Sequence, residues 1–189
     1  SKVLHVSDAR LNNLESQAYT KAICALSTQE SASVIILSNS VTGKAVAPRV
    51  AARMQAALVS GAVSLPDTSN GFVVKKSVFA GKAFAFVQLN SACKVIAITP
   101  NSFPVDGTET ACTVNPASVE FTDRDFLVKV EKVEKVTGIV PLSEAELVVS
   151  GGRGLKGPEN WGILEDMAQT IGATLACSRP VADSHWRPH

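Results

Sequence analysis

Glycine occurs four times between residues 151 and 157, directly after a short apolar run. Gly152, Gly154 and Gly157 match the pattern G-x-G-x-x-G, which is typical of a strand-to-helix loop that holds the phosphates of a dinucleotide. A glycine-rich turn can also be purely structural, and the pattern alone leaves both interpretations open. Arg153 lies inside the loop and has no role in the usual dinucleotide site.

A second polar pair, Ser178-Arg179, follows the next apolar run along the chain. The usual dinucleotide fold places Asp or Glu there, about 20 residues after the loop, to bind the ribose. An arginine at this place can instead bind a 2′-phosphate. Arg153, Ser178 and Arg179 at one edge of a sheet would instead indicate another anionic or electron-rich ligand.

Two other candidate sites fail on spacing or context. The Gly43-Lys44 pair has serine five residues before the glycine and alanine after the lysine, where a phosphate-binding Walker loop needs glycine and Ser or Thr. Asp183 and His185 could form an acid/base pair, but no serine or cysteine elbow accompanies them. A structural turn is predicted at both places.

Cysteine and histidine usage predicts free thiols and no metal site. The four cysteines are widely separated and form no C-x-x-C motif. None of the three histidines shares a metal-ligand spacing with a cysteine or a carboxylate pair. Scattered thiols of this kind are typical of a reducing compartment.

Charge and hydropathy exclude several classes of protein. The net charge of +1 gives no broad attraction to nucleic acid, and 46% hydrophobic residues argue against disorder. No segment approaches the ~18 uninterrupted apolar residues of a membrane span, and residues 1–13 lack the apolar core of a secretory signal. We therefore expect neither nucleic-acid binding nor direct membrane insertion.

The first sixty residues alternate between strand and helix patterns. A strand is predicted at Lys2–Val6, a helix over residues 11–28, and a buried parallel strand at residues 34–37. A second helix follows, with Pro48 in its first turn. Its predicted apolar face consists of Val50, Met54, Ala57 and Leu58. This order predicts a parallel sheet with crossover helices.

From about residue 60 the pattern changes to short strands. Strands are predicted at residues 71–79, 82–89 and 93–99. The short Gly- and Asn-containing connections between them favour hairpins, and hence an antiparallel extension of the sheet. The next segment is predicted to be a loop at residues 100–117, followed by strands at 117–121 and 126–133.

An alternation of valine and charged residues from about residue 130 predicts a last strand and a linker, with a domain boundary near residue 140. After it come a strand at residues 147–149, the glycine loop, a helix from Pro158 to the stop at Gly172, and a strand in "ATLACS". The predicted apolar stripe of this helix is Trp161, Leu164, Met167, Ala168 and Ile171. This is one strand-helix-strand unit, whereas a doubly wound domain usually has two such halves.

The stretch "LVVSGGRGLKGPENWGILEDMAQTIGATLACSRPVAD" closely resembles the beginning of the FAD-binding domain of the electron transfer flavoprotein alpha subunit. That family shows V-S-G-G-R-G-L-K, then E-N, a helix, and an S-R pair ahead of an Asp. The segments "GKAVAPRVAARM", "FAGKAFAFVQLN" and "KVIAITPNSF" resemble earlier parts of the same family. The resemblance covers nearly the whole chain in order, and the glycine loop with the downstream S-R pair is its most specific part.

The resemblance implies a fold and a boundary. We expect an α/β chain whose Rossmann-like N-terminal domain, residues 1–140, has a mixed sheet with a parallel core and an antiparallel extension. Residues 141–189 would be the first β-α-β of a second, Rossmann-like FAD-binding domain.

The resemblance also implies a function. Such a protein is an electron carrier that uses FAD and is not an enzyme with its own substrate. It pairs with a beta subunit and passes electrons from dehydrogenases, acyl-CoA dehydrogenases among them, to a membrane quinone oxidoreductase or another acceptor. It would lie in the bacterial cytoplasm or the mitochondrial matrix.

The residues that contact FAD in the family carry over here as Arg153, Ser178 and Arg179. A guanidinium near the pyrimidine edge of the flavin would stabilise the reduced, anionic flavin and raise its potential. Arg179 is the residue predicted at that position.

The chain departs from the family pattern in three ways. Gly157-Pro158 precedes E-N, where the family usually has Ser-Gly or a similar pair, and residues 183–186 replace its Asp-x-Gly-Trp. The family also has an opening strand-helix portion before Lys2, and Q-V-G-Q-T-G and S-G-A-I-Q-H motifs beyond His189. We therefore expect a fragment that binds FAD weakly or not at all and is colourless after gel filtration.

Two alternatives remain open at this point. The glycine pattern alone also fits an NAD(P)-dependent oxidoreductase, although Ser178-Arg179 argues against it. If the native chain ends at His189, a non-redox interaction module is the other candidate.

Overall fold

The computed structural model describes residues 2–104, 107, 111–134, 140–142 and 144–187. The chain divides into two compact units, Ser1–Val133 and Glu134–His189. Among the helices of the described residues, none combines the length and the apolar composition of a membrane span.

The first unit contains seven strands and two α-helices in its described part. The strands are β1 (Lys2–Val6), β2 (Val34–Ser38), β3 (Ala57–Ala62), β4 (Val73–Val78), β5 (Ala83–Gln88), β6 (Lys94–Ile98) and β7 (Thr113–Ala117), and the helices are α1 (Ser16–Gln29) and α2 (Val41–Arg53). Two 3₁₀ helices, Ala9–Asn12 and Asp123–Asp125, lie in the connections.

The main sheet is mixed, with the strand order β2-β6-β3-β4-β5. Strands β2, β6 and β3 are parallel, while β4 and β5 continue the sheet in antiparallel pairing. Strands β1 and β7 pair in parallel as a separate two-stranded sheet. The parallel core with an antiparallel extension confirms the predicted fold class.

Two hydrophobic clusters hold this unit together. One joins the helices to the sheet through fully buried Val46, Val50 and Val95. The other contains Val59 and Val74, again almost completely buried. Each such side chain contributes about 1.5–3 kcal/mol through its removal from water.

Helix α1 begins at Ser16, so the prediction of a helix from residue 11 is wrong at its start. The Glu15 carboxylate accepts hydrogen bonds from the backbone N–H groups of Gln17 and Ala18, at 2.7 and 2.8 Å, and caps the helix there. Leu11 lies instead in the preceding 3₁₀ helix.

Helix α2 begins seven residues before Pro48, so the prediction that this proline lies in the first turn is wrong. The Ser40 hydroxyl accepts a hydrogen bond from the Gly43 N–H and caps the true start. Ala57 and Leu58, predicted on the helix face, belong to β3. These two apolar residues pair with β6 in the sheet, and this pairing determines their conformation although their spacing also fits a helix.

The connection between residues 88 and 94 is not a hairpin, because β6 does not pair with β5. It lies between β2 and β3 and is parallel to both. Val95, Ile96 and Ala97 are almost completely buried there, as expected for a central parallel strand covered on both faces. The predicted hairpin between β4 and β5 is confirmed.

Residues 100–103 form a turn and a bend, as predicted for a loop, but the later predictions up to residue 133 are wrong in the described part. Strand β7 lies within the predicted loop, and residues 117–121 and 126–133 form no strand beyond Ala117. Between these segments Thr122 and Asp125 form a capping box around a 3₁₀ helix, which turns the chain. The predicted last strand falls partly on residues 135–139, which lie outside the described residues.

The second unit has the predicted strand-helix-strand order. Strands β8 (Val148–Gly151) and β9 (Thr174–Cys177) are parallel, helix α3 (Gly162–Ile171) connects them, and a short helix α4 (Arg179–Asp183) follows. Gly172 ends α3 in the left-handed conformation at φ 68°, which confirms the predicted stop.

The predicted apolar stripe of α3 is buried only in part. Trp161 and Ala168 are buried, whereas Met167 and Ile171 are 53% and 46% exposed.

Candidate functional site

The glycine loop and the Ser178-Arg179 pair lie at the same edge of a parallel sheet. Gly151 and Cys177 are register partners at the carboxyl ends of β8 and β9, so the next residues of both strands leave the sheet side by side. The Ser178 N–H donates to the Gly151 carbonyl oxygen at 2.9 Å and extends this pairing. The carboxyl edge of parallel strands is where ligands bind in open α/β sheets.

Gly151 is required by the packing of α3 against β8. A Cβ atom at this position would lie 2.5 Å from Leu164 Cδ1 and 2.7 Å from Trp161 Cη2. Trp161 is 1% exposed, so its ring has little room to move away. The absence of a side chain at Gly151 therefore has a structural cause.

Gly152 and Gly154 are different, because the protein around them leaves space for a side chain. A Cβ atom at Gly152 would meet only Ser178 Oγ, at 3.8 Å, and one at Gly154 would have no atom within 4 Å. Neither residue has a positive φ that would favour glycine. Their missing side chains thus leave the loop backbone open to a bound group, as in loops whose N–H groups approach a cofactor.

The loop itself forms two 3₁₀ helices, Arg153–Leu155 and Pro158–Trp161, before α3 begins. The helix predicted from Pro158 therefore begins as a 3₁₀ turn at that residue and continues as α3 from Gly162. The Asn160 amide donates to the Leu155 carbonyl oxygen at 2.8 Å and ties the two turns together. In the sequence this asparagine stands out only as part of the E-N pair, and no pattern there predicts its contact with Leu155.

The two arginines are both exposed. No ion pair involves Arg153 among the described residues, so its guanidinium is available to an anionic ligand. Arg179 is 88% exposed, and its Nε lies 3.5 Å from the Asp183 carboxylate one helical turn later. Asp183 thus partners Arg179, and a turn at residues 184 and 185 ends α4.

A cavity of about 530 Å³ runs along β9 on the side that carries Arg179. All four residues of β9 line it, together with Trp161 and Arg187. The Arg187 guanidinium lies 5.2 Å from the Trp161 ring and pairs with Glu165. This arrangement anchors the residues after α4 to α3.

The described residues include no group of three His, Cys, Asp or Glu side chains that could hold a metal ion. His189 lies outside the described residues, and the expected absence of a metal stays a prediction.

Residues 1–124 match the family model of the electron transfer flavoprotein domain. The chain belongs to the electron transfer flavoprotein family. Residues 141–189 match the model of the electron transfer flavoprotein FAD-binding domain of alpha type, which confirms the resemblance to the alpha subunit.

Curated relatives agree with this family assignment. The chain is 29% identical over 186 residues to an electron transfer flavoprotein subunit alpha of Bacillus subtilis, covering 98% of this chain and 57% of the relative. It is 30% identical over 189 residues to a subunit alpha of Syntrophomonas wolfei, covering 100% of this chain and 60% of the relative. A protein FixB of Clostridium saccharobutylicum is 30% identical over 194 residues, covering 98% of this chain and 57% of the relative. The chain thus spans under two thirds of the length of these members of the family.

Proposed function

We propose that this chain serves as an alpha-type electron transfer flavoprotein, an FAD-dependent electron carrier without a substrate of its own. It would accept electrons from dehydrogenases, such as the acyl-CoA dehydrogenases of fatty acid oxidation, and deliver them to a quinone oxidoreductase or another acceptor. Its partner would be an electron transfer flavoprotein beta subunit, in a heterodimer. The bacterial cytoplasm or the mitochondrial matrix would be its compartment.

The open backbone at Gly152 and Gly154 supports this proposal most directly. The surrounding protein does not require glycine at either position, and Gly152 lies next to Ser178 at the carboxyl edge of β8 and β9. Residues 141–189, proposed as the beginning of the FAD-binding domain after an N-terminal domain of residues 1–140, supply this edge. A flat, anionic cofactor that approaches the backbone closely would use that space.

Each candidate residue has a role that its position allows. The Arg153 guanidinium, which has no ion-pair partner in the described part of the chain, would bind an anionic part of FAD through charge-assisted hydrogen bonds. The Ser178 hydroxyl, next to Gly152, can donate or accept a hydrogen bond at the loop. Arg179 would bring positive charge to the isoalloxazine, and Asp183 would orient it. Bound FAD supplies the reversible electron uptake, which protein side chains cannot provide.

Titration of the purified chain with FAD, followed by fluorescence anisotropy, tests these roles. We expect weak binding that does not survive gel filtration. Arg153→Ala and Arg179→Ala should each weaken it about tenfold, the effect of losing one hydrogen bond to a charged group. The lysine variants should weaken it less, since they keep the charge.

Arg49→Ala is the matched control, because Arg49 is an exposed arginine on α2 in the first unit. It should leave FAD binding unchanged. Equal effects of all three alanine variants would contradict the proposed site. Tighter binding of NADH or NADPH than of FAD would favour the alternative of a nicotinamide-dependent oxidoreductase.

A further inference from the structure

The β4–β5 hairpin carries exposed aromatic side chains at the outer edge of the described sheet. Phe84 and Phe86 on β5 are 54% and 70% exposed. They pair across the sheet with Ser77 and Lys75 of β4, and therefore lie on one face of the hairpin. In the part of the chain that the structure describes, no strand pairs with the other edge of β5.

The tip of this hairpin is strained and also aromatic. Phe79 and Ala80 have φ values of 52° and 53°, a left-handed backbone conformation that residues other than Gly, Asn and Asp rarely adopt. Phe79 is 80% exposed, so contacts with this unit do not explain its position. These two residues are the centre of a tight turn closed by the Gly81 N–H, which donates to the Val78 carbonyl oxygen at 3.2 Å, and such hairpin turns need positive φ values. The turn therefore holds the Phe79 side chain at the exposed tip of the hairpin.

Within the hairpin itself all charged side chains are positive, although Asp67 pairs with Val73 at the start of β4. Residues 68–105 contain no Asp or Glu, whereas Lys75, Lys76 and Lys82 all lie on or next to the two strands. The Lys75 ammonium lies 4.0 Å from the Phe84 ring centroid, a cation–π contact that holds it over the aromatic face. Among the described residues no ion pair involves any of these three lysines, so no carboxylate neutralises their charge.

We propose that this hairpin binds an acidic, extended polypeptide segment of another protein, which adds a strand to the free edge of β5. Backbone groups of β5 would pair with the added strand, as in other cases of β-strand addition. Apolar side chains of the segment would lie on Phe84 and Phe86, and its carboxylates would pair with the lysines.

The open edge favours a polypeptide over a nucleic acid or a lipid surface. Lysine and aromatic side chains together could also bind single-stranded nucleic acid, but only a polypeptide strand can satisfy a row of backbone N–H and C=O groups. The net charge of +1 for the whole chain also gives little long-range attraction to phosphate backbones. The hairpin lies in the first unit, so this proposal does not depend on the FAD site.

The test uses the whole chain and a ten-residue peptide that alternates glutamate and valine. We expect this peptide to protect the backbone amides of residues 83–88 from hydrogen exchange. A peptide with lysine in place of glutamate should bind at least about tenfold more weakly. Phe84→Ser with Phe86→Ser should reduce affinity for the acidic peptide at least about tenfold. Leu65→Ser, which changes a side chain that is 77% exposed elsewhere in the unit, is the matched control and should bind normally.

A charge reversal provides a second test that does not alter the aromatic face. Lys76→Glu with Lys82→Glu should bind the lysine peptide better than the acidic one. No preference between the peptides, or protection outside β5, would overturn the proposal. Tighter binding of an oligothymidine or of phosphatidylserine vesicles than of the acidic peptide would also overturn it. So would a dimer of this chain that is lost in the variant with Phe84→Ser and Phe86→Ser.

Discussion

At the scale of single residues, the glycines of one motif have different physical causes. Gly151 allows α3 to approach β8, as the 2.5 Å distance from its would-be Cβ to Leu164 Cδ1 shows. Gly154 has no atom within 4 Å of the same position. The sequence pattern treats these glycines alike, because a one-letter motif contains no information on which neighbour lies beside each residue. Only the three-dimensional packing separates a structural glycine from one that leaves space for a ligand.

This difference predicts opposite outcomes for two similar substitutions. Gly151→Ala should destabilise the second unit by about 1–3 kcal/mol, because the added methyl overpacks a site next to the buried Trp161. Gly154→Ala should change stability by no more than about 0.5 kcal/mol. Urea unfolding followed by the fluorescence of Trp161 and Trp186 measures both. Equal losses in the two variants would refute the assignment of a packing role to Gly151.

At the scale of elements, the sequence predicted where strands and helices occur better than it predicted which strands lie side by side in the sheet. The apolar run of β6 was recognised, but its place between β2 and β3 was not, since a short connection does not fix which strand comes next in the sheet. Ala57 and Leu58 were assigned to a helix because helical spacing is ambiguous for short apolar runs. Strand β7 was missed because its pattern contains Pro116, which is tolerated at a sheet edge.

One contact between elements predicts a pH dependence. The Lys21 ammonium on α1 donates to the Asp125 carboxylate at 2.7 Å, and the Thr122 N–H donates to the same oxygen. The Lys21 hydrogen bond, followed by that of the Thr122 N–H, lowers the pKa of Asp125 to about 2. The unfolded value is about 3.9. Because the pKa is lower in the folded state, this carboxylate stabilises the fold fully above about pH 4, and the contribution is lost as the pH falls through about 2.

Asp125→Asn should therefore lower the urea midpoint of the first unit at pH 7, and its difference from the wild type should shrink between about pH 4 and 2. Circular dichroism follows the unfolding, since neither tryptophan lies in this unit. Glu120→Gln, an exposed carboxylate in the same unit, is the control and should have little effect at either pH. A difference between wild type and Asp125→Asn that stays constant down to pH 2 would exclude this role for Asp125.

At the scale of the whole molecule, two units of different size follow one another along the chain. The first unit has a mixed sheet, with helices packed on one face and a hydrophobic cluster on each face. The second unit has one strand-helix-strand motif with a two-stranded sheet. The loop "SGGRGLK" and the S-R pair were enough to predict the family. They were also enough to predict that Arg153 and Ser178 lie at the same edge of a sheet. The 3₁₀ turns, the Asn160 brace and the Arg179–Asp183 pair could not be predicted, because each depends on local geometry that several sequences share.

FAD is proposed to bind at the carboxyl edge of β8 and β9, and backbone NMR of the whole chain can detect that contact residue by residue. Amide resonances report contact even when binding is too weak to survive gel filtration. Addition of FAD should shift the resonances of residues 152–157 and of Ser178 and Arg179, and leave those of the β4–β5 hairpin unchanged. Arg153→Ala with Arg179→Ala should remove these shifts. Shifts confined to the first unit, or none at the glycine loop at saturating FAD, would contradict the account.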